Sequence, residues 1–333
     1  PRVAAGAGTF NPPPPGWRAS GARALVSGGG AASPAQGGRG APPAPAPPPE
    51  FSTAGRIAFA STRDGDSHIY LIHPDGSDLT RLVRGQAPAW SPDGERIVFE
   101  VFEGGDVETP EIRVIDVDGS NERLLVTDAR SPAWSPDGDR IAFVRQTDIY
   151  AVSPDGSGVD LLLGAQSVKD ATGLGSLPGY LFILDQPSWS PDGEWIVFTA
   201  GDDNMPAYIV VARTDGSSPV VLGSDTWGVR PVWSPDGSRI LLGRYDNFIS
   251  IVASAGGAPL GLPGFRGWEA DWSPDGMAIV FSSPPEGCSI PRGCNSEIWV
   301  GEVARGRRAR LVPPADDPAV PFYNDFDPAW SRE

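Results

Sequence analysis

Pro88-Ala89-Trp90-Ser91-Pro92-Asp93-Gly94 reads as a short strand running into a tight turn, and the chain repeats it. The segment Trp-Ser-Pro-Asp-Gly begins at Trp90, Trp134, Trp189, Trp233 and Trp272, and a sixth copy begins at Trp330 as Trp-Ser-Arg-Glu. Successive copies lie 44, 55, 44, 39 and 58 residues apart. Periods of roughly 40–50 residues point to a propeller or a solenoid, because one such unit cannot bury its apolar faces alone. In Ser-Pro-Asp-Gly the proline presets φ, the aspartate bonds nearby backbone and the glycine takes a positive φ.

Outward from that turn, each period reads as four strands. The Pro-x-Trp segment is the first. An alternating strand follows, at Ile57/Phe59, Ile97/Phe99, Ile141/Phe143, Ile196/Phe198, Ile240/Leu242 and Ile279/Phe281, and period-two alternation excludes a helix. A β-branched and aromatic third strand comes next, as in Ile69-Tyr70-Leu71-Ile72 and Ile149-Tyr150-Ala151-Val152. The fourth ends in leucine, at Leu82, Leu124, Leu162, Leu222 and Leu311. A second turn joins the third and fourth strands at Asp75-Gly76, Asp118-Gly119, Asp155-Gly156 and Asp215-Gly216. These aspartates read as turn formers. A calcium loop at Asp116-x-Asp118-Gly119 is the alternative, without the third aspartate and spaced glutamate of an EF-hand.

The count closes. The first period has an alternating strand but no tryptophan strand of its own, and the last tryptophan strand, Asp327-Pro328-Ala329-Trp330, has no period after it. The tail strand therefore completes the sheet begun near residue 56 and leaves no open edge. The expected fold is all-β: a six-bladed β-propeller of four-stranded antiparallel blades over residues 51–333, closed by the C-terminal strand. The repeated tryptophans are expected to pack between blades, each burying about 150–250 Å².

Residues 1–50 stand apart. They hold 12 prolines and 10 glycines, with runs such as Pro12-Pro13-Pro14-Pro15 and Pro47-Pro48-Pro49. That composition favours extended polyproline segments without a core, so a disordered tether is expected. No leader is visible, and a start at Pro1 rather than methionine leaves room for an upstream segment. No run of about 18 apolar residues occurs, so no membrane span is expected.

Composition narrows the chemistry. The net charge is -16, which disfavours nucleic acid and anionic membrane surfaces and suits cationic partners or divalent ions, or solubility alone. His68 and His73 are the two histidines, so histidine-based metal centres and triads are poorly supplied. Cys288 and Cys294 fit a local disulfide clamping a loop in an oxidising compartment, or a pair of free thiols. No cofactor or metal ligand set is read.

Taken together, Ser61-Thr62-Arg63-Asp64-Gly65-Asp66-Ser67-His68-Ile69-Tyr70, then Asp75-Gly76, Leu82 and Pro88 to Gly94, resemble a full repeat of the TolB-like propeller family, which is related to the tryptophan–aspartate repeat propellers. The resemblance covers residues 51–333. It implies an extracytoplasmic or envelope setting and partner binding.

Strand parity places the working end. The Ser-Pro-Asp-Gly and Asp-Gly turns share one face. The remaining links share the other, and the long insertions at 164–185, 283–296 and 313–325 all fall there. Three residues before each tryptophan stand Ala87, Ser131, Gln186, Arg230, Glu269 and Asp327, expected to ring the channel mouth, with Arg130, Asp185 and Asp325 as possible additions. The candidate site is therefore Arg130, Gln186, Arg230, Glu269 and Asp327. It would bind a protein or peptide, a small polar ligand, or a cation through Glu269, Asp271 and Asp327; a water-filled mouth of solvated charges is the plain alternative. The expected function is a non-catalytic binding module, working as a monomer outside the cytoplasm. A metal-assisted hydrolase or lyase using the channel carboxylates is the competing reading, without a Gly-x-Ser-x-Gly elbow or a histidine cluster to support it.

Overall fold

The structure is a computed structural model that describes residues 54–103, 109–175, 180–202, 207–223, 228–244, 248–284, 296–312 and 324–332. The expected tether and the expected Cys288–Cys294 disulfide lie outside them.

Strands β1 (Ile57–Ser61), β2 (His68–Ile72) and β3 (Thr80–Arg84) begin the first blade. The second is β4 (Gln86–Trp90), β5 (Arg96–Glu103), β6 (Thr109–Asp116) and β7 (Arg123–Thr127). The third is β8 (Arg130–Trp134), β9 (Ile141–Arg145), β10 (Asp148–Val152) and β11 (Asp160–Leu163), after which comes a helix, α1 (Ala165–Thr172). The fourth is β12 (Phe182–Trp189), β13 (Trp195–Asp202), β14 (Tyr208–Arg213) and β15 (Val220–Val221). The fifth is β16 (Val229–Trp233), β17 (Arg239–Gly243), β18 (Phe248–Ala253) and β19 (Leu260–Arg266). The sixth is β20 (Ala270–Trp272), β21 (Ala278–Ser283), β22 (Glu297–Glu302) and β23 (Arg307–Arg310). Finally β24 (Asp325–Trp330) returns to β1, giving the order β24-β1-β2-β3 and six four-stranded antiparallel sheets. Ile57 faces Trp330 and Ser61 faces Asp325 across the closing seam.

The turn chemistry is the one the sequence indicates. Ser91 Oγ accepts from the Arg96 N–H at 2.9 Å, Gly94 N–H donates to the Ser91 carbonyl at 3.0 Å, and Asp93 Oδ1 accepts from the Glu95 N–H at 3.1 Å. Asp118 Oδ1 likewise accepts from the Ser120 N–H at 2.8 Å, and Asp116 Oδ2 accepts from Asn121 Nδ2 at 2.6 Å. Both carboxylates of the calcium alternative are thus occupied in forming their turn.

Each tryptophan of the repeat belongs to a different apolar cluster, and each cluster joins two neighbouring blades. Trp90 packs with Ala58, Ile69 and Leu71 of the first blade, and Trp330 with Val280, Ile298 and Val300 of the sixth. The alternating strands are buried on both faces for the same reason: a blade lies against each of their sides. Leu124 is 46% exposed while Leu125 and Val126 are both buried, because the register of β7 shifts against β6 between Ile112 and Arg113.

One close approach is made by the absence of a side chain. A Cβ on Gly243 of β17 would stand 1.7 Å from the Trp268 carbonyl oxygen, in the link into the sixth blade. Gly243→Ala is therefore expected to cost about 3 kcal/mol, the upper range for overpacking, since backbone meets backbone. Urea unfolding measures it; a loss below about 0.5 kcal/mol would mean that the link yields freely.

Candidate functional site

The inner strands carry a repeated irregularity. Register shifts lie between Gln86 and Ala89, Arg130 and Ala133, Asp185 and Ser188, and Val229 and Val232. At these bulges Ala87, Ser131, Gln186 and Arg230 have φ of 49°, 55°, 54° and 49°, and Asp327 of β24 has 53°. Left-handed backbone outside glycine costs on the order of 1–3 kcal/mol, so its recurrence needs a compensating contact. Each of the five N–H groups finds one. Ala87 donates to Asp327 Oδ2 at 3.0 Å, Ser131 to Glu100 Oε2 at 3.2 Å, and Gln186 to Asp185 Oδ1 at 2.8 Å. Arg230 donates to Gln186 Oε1 at 2.7 Å, and Asp327 to Glu269 Oε2 at 2.8 Å. Four of these bonds reach an adjacent blade. The sixth blade has Ala270 where the others have proline, and Glu269 lacks the positive φ.

The expected ring is thus a hydrogen-bonded belt, and it assembles the candidate residues. The Arg230 guanidinium pairs with Asp327 Oδ1 at 2.8 Å, and Arg130 Nε lies 3.5 Å from Asp185 Oδ2. Burial, and then the Asp327 charge, push the Glu269 carboxyl up to about 7. Burial raises Glu100 as well. Arg230 is pulled down by burial, yet Asp327, Glu269, Glu100 and Asp185 together hold it above its ordinary value. One cation therefore sits among four carboxylates drawn from the first, second, fourth and sixth blades.

Two placements differ from expectation. Asp325 does not join the belt; it is 1% exposed and bonded to Arg63 and Ser61 at the closing seam, two residues further toward the loop end. Asp271 does not share a cation site with Glu269 and Asp327. Its carboxylate accepts from the Trp272 and Trp330 N–H groups, each at 2.8 Å, and meets Arg332 at 3.1 Å. Among the described residues no three His, Cys, Asp or Glu side chains gather as a metal centre. Glu100 is the member that sequence reasoning missed. Its signal was there: the equivalent residues in the other alternating strands are Ala60, Val144, Thr199, Gly243 and Ser282, so Glu100 carries the one charge at that position.

Inside the belt a cavity of about 400 Å³ runs along the inner strands. Ala87, Ser131, Gln186 and Arg230 line its inner end, whereas Pro136, Pro191 and Pro235 of the short turns line the other. Arg130, Glu269 and Asp327 are not part of its wall. The free volume thus extends toward the short-turn face, away from the long links.

Comparison with known proteins agrees with this geometry. A family described as TolB beta propeller domain matches residues 38–162. A protein TolB homolog of Chlorobium luteolum is 28% identical over 168 residues, 49% of this chain and 35% of that protein. A tricorn protease homolog of Streptomyces coelicolor is 27% identical over 254 residues, 70% of this chain and 23% of that protein. This chain therefore spans about a third or less of the length of these relatives. Among solved structures, TolB from Acinetobacter baumannii superposes with a TM-score of 0.66 at 18% identity, covering 84% of this chain and 67% of that one.

Proposed function

This chain is a TolB-like β-propeller, and we propose that it works as a non-catalytic, monomeric binding module outside the cytoplasm, receiving a protein or peptide partner at the loop-rich end of its channel. The observation that carries this reading is a pair of partly exposed arginines at that end. Arg130 and Arg230 are 32% and 24% exposed and are held in place by Asp185 and Asp327. Positioned guanidinium groups on a rigid rim suit the polar and carboxylate groups of a peptide. By strand connectivity the long links leave from the same end, and binding residues favour loops set on a rigid scaffold. The envelope setting rests on the likeness to TolB homologues; among the described residues no helix is long and apolar enough to cross a membrane.

The hydrolase or lyase reading has less behind it. Glu269 and Asp327 accept backbone N–H groups and neutralise Arg230, so they serve the belt before they serve a substrate. The experiment is a quantitative pull-down from envelope extract, followed by Kd measurement on the recovered partner. Arg130→Ala and Glu269→Gln are each expected to weaken binding about tenfold, the loss typical of a contributing interface residue. Unchanged affinity in both, with folding intact, would remove the site.

A further inference from the structure

We propose that the short-turn face carries a second docking site: a funnel that takes an apolar or proline anchor of a partner peptide whose flanking residues are arginine or lysine. This goes beyond the reading above, which concerns the opposite end of the inner strands.

The wall is built largely from proline. Pro88, Pro132, Pro187, Pro231 and Pro328 form a deep ring, and Pro92, Pro136, Pro191, Pro235 and Pro274 form a second ring at the mouth. Proline offers no N–H. Between the rings, the carbonyls of Ala329, Ala133 and Val232 accept the indole N–H groups of Trp90, Trp189 and Trp272 at 3.2, 3.1 and 3.3 Å. Proline rings and indoles therefore supply most of the contact between the two rings, while Ser131, Gln186 and Arg230 bring polar groups to the inner end. A volume of about 400 Å³ suits one or two side chains of a peptide.

The rim has the opposite character. Asp93, Asp137, Asp192, Asp236 and Asp275 are exposed around the mouth, with Glu95, Asp139 and Glu194 beside them. Serine hydroxyls in the turns hold Asp137 and Asp192 below the usual carboxylate range and Asp236 at about 2. The arginines of the same turns lie over the tryptophans. Arg96 is 5.0 Å from the Trp134 ring, Arg140 4.8 Å from Trp189 and Arg239 4.8 Å from Trp272. Their guanidinium groups lie over indole, and Arg96 also pairs with Asp93 at 3.5 Å; eight carboxylates against Arg96, Arg140, Arg213, Arg239 and Arg332 still leave the rim net negative. An apolar well inside an anionic rim selects an apolar residue between cations, with the rim charge steering its approach.

The test is selection of random phage-displayed peptides on the wild-type protein, followed by fluorescence anisotropy with the best synthetic peptide. Enriched sequences are expected to share proline, leucine or an aromatic residue flanked by arginine or lysine. Ala133→Arg should obstruct the wall and weaken binding at least about tenfold. Should that variant fail to fold, the surface triple Glu95→Lys, Asp139→Lys, Glu194→Lys tests the rim and is expected to do the same. Glu269→Gln, outside the funnel, should change affinity less than about twofold. No enrichment, an acidic consensus, or affinity indifferent to both funnel variants would overturn the proposal. Loss confined to Glu269→Gln would overturn it too, by placing the peptide on the belt and leaving the first reading intact.

Discussion

Asp325→Ala is expected to destabilise the fold by about 3–5 kcal/mol, the cost of stranding a buried charge. Arg63 Nη2 donates to both carboxylate oxygens of Asp325 at 2.9 Å, and Ser61 Oγ donates to Oδ1 at 2.6 Å. Arg63 Nε donates to Ser61 Oγ at 3.0 Å, while the guanidinium lies 5.2 Å from the Tyr70 ring and 5.7 Å from Phe59. Arg63 is 8% exposed, so solvent does little to replace the lost carboxylate. The damage falls where β24 meets β1, so the ring should open there first. Urea unfolding should show the lower midpoint, and limited proteolysis should release the C-terminal strand early. Burial raises the Asp325 pKa despite Arg63, so desolvation of this carboxylate outweighs the pull of its partner. Replacing both partners, as Arg63→Met with Asp325→Leu, is therefore expected to recover most of the loss. A single variant within about 0.5 kcal/mol of wild type would deny the seam its buried charge pair.

The seam shows what the sequence carries and what it does not. Six tryptophan segments offset by one from six alternating strands announce closure, because the offset is a matter of counting. The turns are legible because proline, aspartate and glycine each act on the nearest backbone. The belt was half legible. Spacing from tryptophan located Gln186, Arg230, Glu269 and Asp327, but their engagement with bulged N–H groups depends on where neighbouring inner strands lie. Glu100 sits on a different strand, and only the juxtaposition of blades brings it beneath Ser131. Asp325 is two positions from Asp327 and has the same side chain, yet one closes the sheet and the other neutralises Arg230. The direction of the cavity was hidden as well. Parity tells which end bears the long links, but the free space between six inner strands follows from proline and tryptophan packing in three dimensions.

Arg230→Met tests the belt itself, and its effect should depend on pH. At about pH 8 the substitution leaves Asp327, Glu269, Glu100 and Asp185 without the cation they share, and a loss of about 3–5 kcal/mol is expected. Glu269 sets the sign of the pH dependence. Its folded pKa, about 7, stands above the ordinary 4.5. Between those values the folded state keeps a proton that the unfolded chain releases. Its contribution is therefore complete below 4.5, declines as pH rises through the window, and is gone above about 7. In Arg230→Met the cation that lowers Glu269 is gone, so its pKa climbs and the declining limb extends further toward alkali. The variant should approach wild-type stability at about pH 5 and fall away from it steadily above about pH 6. Adding Glu269→Gln to Arg230→Met removes the titrating group and one of the repelling charges, so the double variant should regain stability at about pH 8 and lose most of the slope. Urea unfolding of the wild type, Arg230→Met, Glu269→Gln and the double variant across this range decides the matter. Parallel curves would mean that Arg230 acts through packing alone; converging curves at low pH identify it as the counter-charge on which the carboxylates of the channel depend.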